Sequence, residues 1–188
     1  MRPARPLPYD LRADGVTSGG TLTITFASRG AAGGVFHVTS PAGPRSYTVG
    51  AGATLAGSWD VSSGQVVRVH GPNGFYREFA GEGPAIIAEP ADADVRLKVA
   101  NHSAAAVTLT LADAYAGRSS ALTVPARAAA SVTVRTAAGS GWYDVTLASG
   151  AGSGFLCRLA GHIETGRASI SDPALGHAAR PADPGTGL

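Results

Sequence analysis

The side chains in this chain that could do chemistry are few: five histidines, one cysteine and 13 acids among 188 residues. His37, His70, His102, His162 and His177 are scattered, and no two lie at a metal-ligand spacing on one helix. His70 precedes the turn Gly71-Pro72-Asn73-Gly74, and His102 sits in a turn of its own. Both read as turn or surface histidines. Cys157, the lone cysteine, excludes an intramolecular disulfide and reads as a small buried apolar residue. The nucleophile elbow Gly-x-Ser-x-Gly, the phosphate loop, His-Glu-x-x-His and Cys-x-x-Cys are all missing from the sequence. The residues therefore imply no catalytic centre, metal or cofactor. Asp60 and Asp144 read as turn caps that accept local backbone amides. The candidate binding residues are aromatic: Tyr76, Trp142 and Tyr143. Trp142 follows Gly139-Ser140-Gly141, a place where it either packs under a loop or reaches a lipid interface.

These residues need a scaffold, and one stretch of it is written twice. Gly74-Phe75-Tyr76-Arg77-Glu78-Phe79-Ala80-Gly81 returns as Gly154-Phe155-Leu156-Cys157-Arg158-Leu159-Ala160-Gly161. Each copy closes a unit of roughly 75 to 80 residues, the mark of a duplicated domain. Within the first unit, Leu22, Ile24 and Phe26 alternate with threonines, the period of a half-buried strand. Further strands are expected at 9–12, 35–39, 45–49, 54–59, 65–70 and 75–80, with turns at Asp14-Gly15 and Gly19-Gly20. Seven strands in such a length is the count of an immunoglobulin-like sandwich. In the second unit Val95, Leu97 and Val99 fall 73 places after the first strand's apolar set, and Leu109 and Leu111 fall 73 after Phe36 and Val38. Leu122, Val124 and Val134 fall 75 after Tyr47, Val49 and Trp59, and Phe155 and Leu159 fall 80 after Phe75 and Phe79. The offset grows in loops, where insertions cost little.

The expected fold is thus all-β, with two tandem immunoglobulin-like β-sandwich domains over 8–82 and 84–166, a linker at 1–7 and a loose tail at 167–188. The short link Glu82-Gly83-Pro84 predicts two sandwiches set end to end with little freedom. Arg77 poses a problem, because it shares parity with the inward Phe75 and Phe79. Either a bulge turns it outward or its stem is buried and its head snorkels.

Composition narrows the function classes. Charged residues are 15% of the chain and hydrophobic ones 44%, which argues against disorder. The net charge of +2 comes from scattered arginines with no cluster, so no nucleic-acid partner is read. The small positive excess is compatible with a weak pull toward anionic lipid or phosphate. No stretch approaches the apolar length of a membrane helix, and residues 1–20 lack the core of a signal peptide. If the protein is exported, its signal is expected upstream, in a longer parent.

With both copies aligned, a family resemblance emerges. Leu7-Pro8-Tyr9-Asp10-Leu11, Val35-Phe36-His37-Val38, Tyr47-Thr48-Val49, Trp59-Asp60 and Gly71-Pro72-Asn73-Gly74-Phe75 resemble the tandem C-terminal domains of bacterial phosphocholine-preferring phospholipase C. So do Gly141-Trp142-Tyr143-Asp144-Val145, Phe155, Ala160-Gly161-His162-Ile163-Glu164-Thr165-Gly166 and Ser171-Asp172-Pro173. The resemblance implies a secreted parent enzyme whose N-terminal phosphoesterase domain hydrolyses phosphatidylcholine or sphingomyelin. This chain would then be a non-catalytic partner of that domain in the same parent chain, supporting it and its presentation to a lipid surface. Cys157 stands where that family tends to have arginine, which puts in doubt any contact made by the arginine in relatives. The competing reading is a stand-alone carbohydrate-binding or adhesion module, which needs an exposed platform of Trp142 with Tyr143 or Tyr115.

Overall fold

The structure is a computed structural model that describes residues 2–150 and 154–176. After a two-residue strand β1 (Pro3–Ala4), the first repeat forms seven strands: β2 (Leu11–Ser18), β3 (Thr21–Ser28), β4 (Gly34–Thr39), β5 (Arg45–Val49), β6 (Thr54–Asp60), β7 (Val66–His70) and β8 (Tyr76–Ala80). The second repeat forms seven more: β9 (Ala85–Ala91), β10 (Asp94–Ala100), β11 (Val107–Asp113), β12 (Arg118–Val124), β13 (Ala129–Val134), β14 (Trp142–Ser149) and β15 (Leu156–His162). A two-residue strand β16 (Ser169–Ile170) pairs with β1.

Alternation places the core as expected. Leu22, Ile24 and Phe26 of β3 are buried while Thr21, Thr23 and Thr25 between them are exposed. In the first repeat β2-β3-β6 form one layer and β8-β7-β4-β5 the other, and the chain crosses between layers in immunoglobulin fashion. The second repeat copies this order strand for strand, as β9-β10-β13 and β15-β14-β11-β12.

The repeats do not sit end to end. They lie side by side and share both sheets. The first sheet runs β13-β10-β9-β2-β3-β6 and the second β12-β11-β14-β15-β8-β7-β4-β5. β8 and β15 pair antiparallel from Tyr76↔Ala160 to Ala80↔Leu156, with Glu78 opposite its own repeat counterpart Arg158. An antiparallel pair of equivalent strands is a local two-fold axis, and here it runs through that residue pair. In the other sheet the join is a single bridge, Gly15↔Ile86. The buried side chains of both repeats form one continuous cluster, so the two expected sandwiches share a core.

The physical reason lies in the first strand of each repeat. Residues 9–12 were expected as an edge strand that stops at an Asp14-Gly15 turn. Instead β2 continues through both residues and is central, with β3 on one side and β9 on the other. Gly15 serves close packing: a Cβ built there would lie 2.6 Å from the Phe79 ring. The glycine lets the β8 side chain reach from one sheet to the other beside the seam.

The two halves fill the core differently. The first stacks Phe26 on Tyr47 at 4.4 Å between centroids, with Phe36 and Trp59 at 5.2 and 6.3 Å from Phe26. The second has Val99, Leu109, Leu122 and Val134 at the corresponding places. Gly57 admits the Tyr47 hydroxyl, whereas its counterpart by spacing is Val132, in the repeat where the smaller Leu122 replaces Tyr47. The same inward positions are thus filled by aromatic rings in the first repeat and by smaller aliphatic side chains in the second.

A shared core and shared sheets predict a single cooperative unfolding transition for the whole chain. Differential scanning calorimetry should give equal calorimetric and van't Hoff enthalpies, and two resolved transitions would contradict the joined sheets. Gly15→Ala should cost about 1–3 kcal/mol in urea denaturation, because the buried Phe79 ring has no room to withdraw.

Candidate functional site

The seam brings together residues that are far apart in sequence. Arg77 lies on β8 in regular register, opposite Val69 on one side and Leu159 on the other, so no bulge turns it outward. Its head does not snorkel either, since the residue is 2% exposed. Nη1 donates to the carbonyls of Tyr76 at 2.7 Å and Ala160 at 2.9 Å, and Nη2 donates to the Tyr143 hydroxyl at 3.0 Å. The guanidinium carbon stands 4.1 Å from the centre of the Phe75 ring. Carbonyl, hydroxyl and ring electrons together replace the water that the charge has lost. The Ala160 and Tyr143 contacts come from the second repeat, so this one side chain staples the two halves.

Around it lies a partly open cavity of about 230 Å³, walled by Arg12, Asn73, Arg77, Tyr143, His162 and Glu164. Arg12 is buried, bonded to Asp10 at 3.0 Å and to the Ala88 carbonyl. Nearby on β2, burial pushes the Asp14 carboxyl up, while the charges of Arg77 and Arg12 pull it back. Cys157, the repeat counterpart of Arg77, is 2% exposed; burial pushes its thiol up to about 12, against a smaller downward pull from Arg77.

Outside the seam, the segment after β15 returns as a strap. The N-terminal segment is proline-rich and pairs only briefly: Pro3 opposite Ile170 and Ala4 opposite Ser169. Further bonds hold the ribbon, from Ser171 N to the Arg2 carbonyl at 2.8 Å and from Leu7 N to Glu164 Oε2 at 2.9 Å. The described part of the expected loose tail, through 176, is therefore docked. Residues 177–188, including His177, lie outside the described residues. Residues 1–7, expected as a linker, are likewise tied down from Arg2 onward.

The strap buries Trp142. That side chain is 7% exposed, and its indole N–H donates to the Ile170 carbonyl at 3.0 Å. The His162 ring lies 4.9 Å away between centroids. Tyr143 points into the core and is 6% exposed. The expectation of a surface role for Trp142 and Tyr143 is thus corrected: the first is roofed by the strap and the second is held by Arg77. Tyr76 alone of the three keeps a half-open face, with its hydroxyl donating to Glu78 at 2.7 Å.

His162 was read as one of five scattered histidines, yet it is the knot of this region. Nδ1 meets Glu164 Oε1 at 2.9 Å and Nε2 meets Ser169 Oγ at 2.8 Å. Glu164 also accepts from Asn73 Nδ2 at 2.7 Å. The order carboxylate, imidazole, hydroxyl resembles a hydrolase triad. Here, however, the Ser169 hydroxyl donates to the Ser140 carbonyl at 3.2 Å, so its hydrogen is directed away from the imidazole. The arrangement ties strap, sheet and turn together. Sequence reasoning missed it because its partners meet only when the strap folds back. The other expectations divide. Asp60 accepts from the Ser62 amide and hydroxyl as a turn cap, and those bonds hold its carboxyl below the usual range. Asp144 instead makes a two-pronged ion pair with Arg158, at 2.8 and 2.6 Å. Among the described residues no group of three or more metal-ligating side chains gathers.

The fold and seam define an all-β tandem module whose two halves are copies of one unit. The family model for the C-terminal domain of bacterial phospholipase C matches residues 3–82 and again 85–162. The chain belongs to that family. A non-hemolytic phospholipase C of Burkholderia pseudomallei is 38% identical over 199 residues, covering 93% of this chain and 28% of the relative. One from Pseudomonas aeruginosa is 34% identical, covering 94% and 29%. A hemolytic phospholipase C of the same organism is 31% identical over 221 residues, covering 95% and 30%. The chain thus spans less than a third of the length of these relatives.

Removing the staple should be costly. Arg77→Ala leaves two carbonyls and a phenol without a donor and should lose about 2–4 kcal/mol in denaturant unfolding. Cys157 should resist Ellman's reagent at pH 8 in the native state and react fully in denaturant. Because its folded value lies above the ordinary thiol value of 9.0, its contribution to stability is full below that pH. The contribution should then fall as pH rises from about 9 toward 12, and removal of the effect in Cys157→Ala checks the assignment.

Proposed function

We propose that this chain is the non-catalytic C-terminal region of a longer, secreted bacterial phospholipase C. In that parent it supports the catalytic domain and helps present it to a lipid surface. The observation that carries the reading is the double family match over nearly the whole chain, set against relatives more than three times as long. The structure fits such a role in two respects. The joined sheets make one stiff platform, and the β1–β16 ribbon anchors the segment through which any preceding domain would enter.

For the lipid half of the role, the available surface is a pair of exposed apolar side chains, with Tyr76 on the opposite face of the sandwich. Val16 and Ile87 are 46% and 37% exposed on the outer face of the six-stranded sheet, flanking the seam. Trp142 is enclosed by the strap and Tyr143 by the core, so neither serves. The same burial removes the aromatic platform that a carbohydrate-binding module would need.

Two measurements test the proposal. The chain should pellet with phosphatidylcholine vesicles, and Val16→Asp with Ile87→Asp should abolish pelleting. If the unaltered chain stays in the supernatant, the lipid role falls and support of the catalytic domain remains. On p-nitrophenylphosphorylcholine the chain should give no turnover, and turnover above a boiled control would overturn the non-catalytic reading.

A further inference from the structure

A cavity of about 580 Å³ opens on the outer face of the eight-stranded sheet, between that sheet and the strap. Its size is that of a small-molecule site. Tyr76, Tyr115, Asp144, Arg158 and Asp172 supply its functional groups. Asp144 and Arg158 neutralise each other through their two-pronged pair. Asp172 has no basic partner among the described ion pairs; its Oδ1 accepts from the Tyr115 hydroxyl and from the Ala174 amide at 2.8 Å. One negative charge is therefore left over in the cavity.

The surroundings register that charge. The Tyr115 hydroxyl is pushed well above the ordinary phenol range, first by burial and then by Asp172 and Asp144. The rings complete the picture. The Arg158 guanidinium carbon stands 5.5 Å from the Tyr76 ring centre, so that ring already accepts a cation from within the chain.

We propose that this cavity binds a small organic cation, an ammonium group on an apolar body, with Asp172 as counter-charge and the Tyr76 and Tyr115 rings as walls. A bare metal ion fits poorly, since one free carboxylate is too few ligands. A neutral sugar also fits poorly, because it would leave the Asp172 charge without a counter-charge. The inference does not rest on the supporting role proposed above.

The probe is benzylammonium chloride, titrated into the whole 188-residue chain and followed by amide NMR. Saturable shifts are expected at Tyr115, Asp172 and Ala174, with millimolar affinity. Affinity should fall several-fold as sodium chloride is raised, because the attraction is ionic and the site is open. Asp172→Asn should weaken binding about tenfold, while Tyr115→Phe, which keeps the ring, should retain most of it. Equal binding of benzyl alcohol, or affinity indifferent to salt, would reduce the site to an apolar cleft and overturn the proposal. Saturation by sucrose with no response to benzylammonium would overturn it in favour of a sugar site. The salt series needs no variant, so the test stands even if Asp172→Asn loosens the strap.

Discussion

The main-chain ladder between β8 and β15 is the constraint on which the rest of the structure depends. Either repeat alone would leave β2 and β8 as open edges, each with a row of unpaired amides and carbonyls. Pairing equivalent strands antiparallel closes both edges at once. It also turns two small cores into one, which raises the buried fraction of a chain this size. The broad join in one sheet and the single bridge in the other are what a twisted two-layer sandwich allows.

The seam explains the one charge buried at its centre. Arg77 occupies an inward position that would ordinarily call for an apolar side chain, and its counterpart Cys157 is small and apolar. Burying a guanidinium is unfavourable unless each donor finds a partner. Here the partners come from across the seam, so the same bonds that make the charge tolerable also report that the halves are docked. Its Nε has no partner among the described residues, which leaves the solution incomplete.

A second layer of organisation is added by the strap. Its hydrogen bonds to Trp142 and His162 convert the outer face of β14 and β15 from surface into interior. It creates a half-open cavity beside Tyr115 at the same time. The aromatic residues that seemed free to meet a lipid thus divide between a structural role and the margin of that cavity.

Alternation, glycine punctuation and offsets between repeats that grow only in loops were enough to place nearly every strand, the inward residues and the duplication. Those features are local, since a strand declares its buried face through its period of two, whichever neighbour it pairs with. The neighbour itself is not encoded that way. Side-by-side joining, the run of β2 through Asp14-Gly15, the Arg77 staple and the fold-back of residues 169–176 were settled only in three dimensions. The first three depend on groups separated by 60 residues or more, such as Arg77 with Tyr143 at a separation of 66, and the fold-back joins Trp142 to Ile170 across 28 residues. Short-range pattern carries no record of such meetings, because edge pairing and burial by a returning segment are won by the energy of the whole assembly.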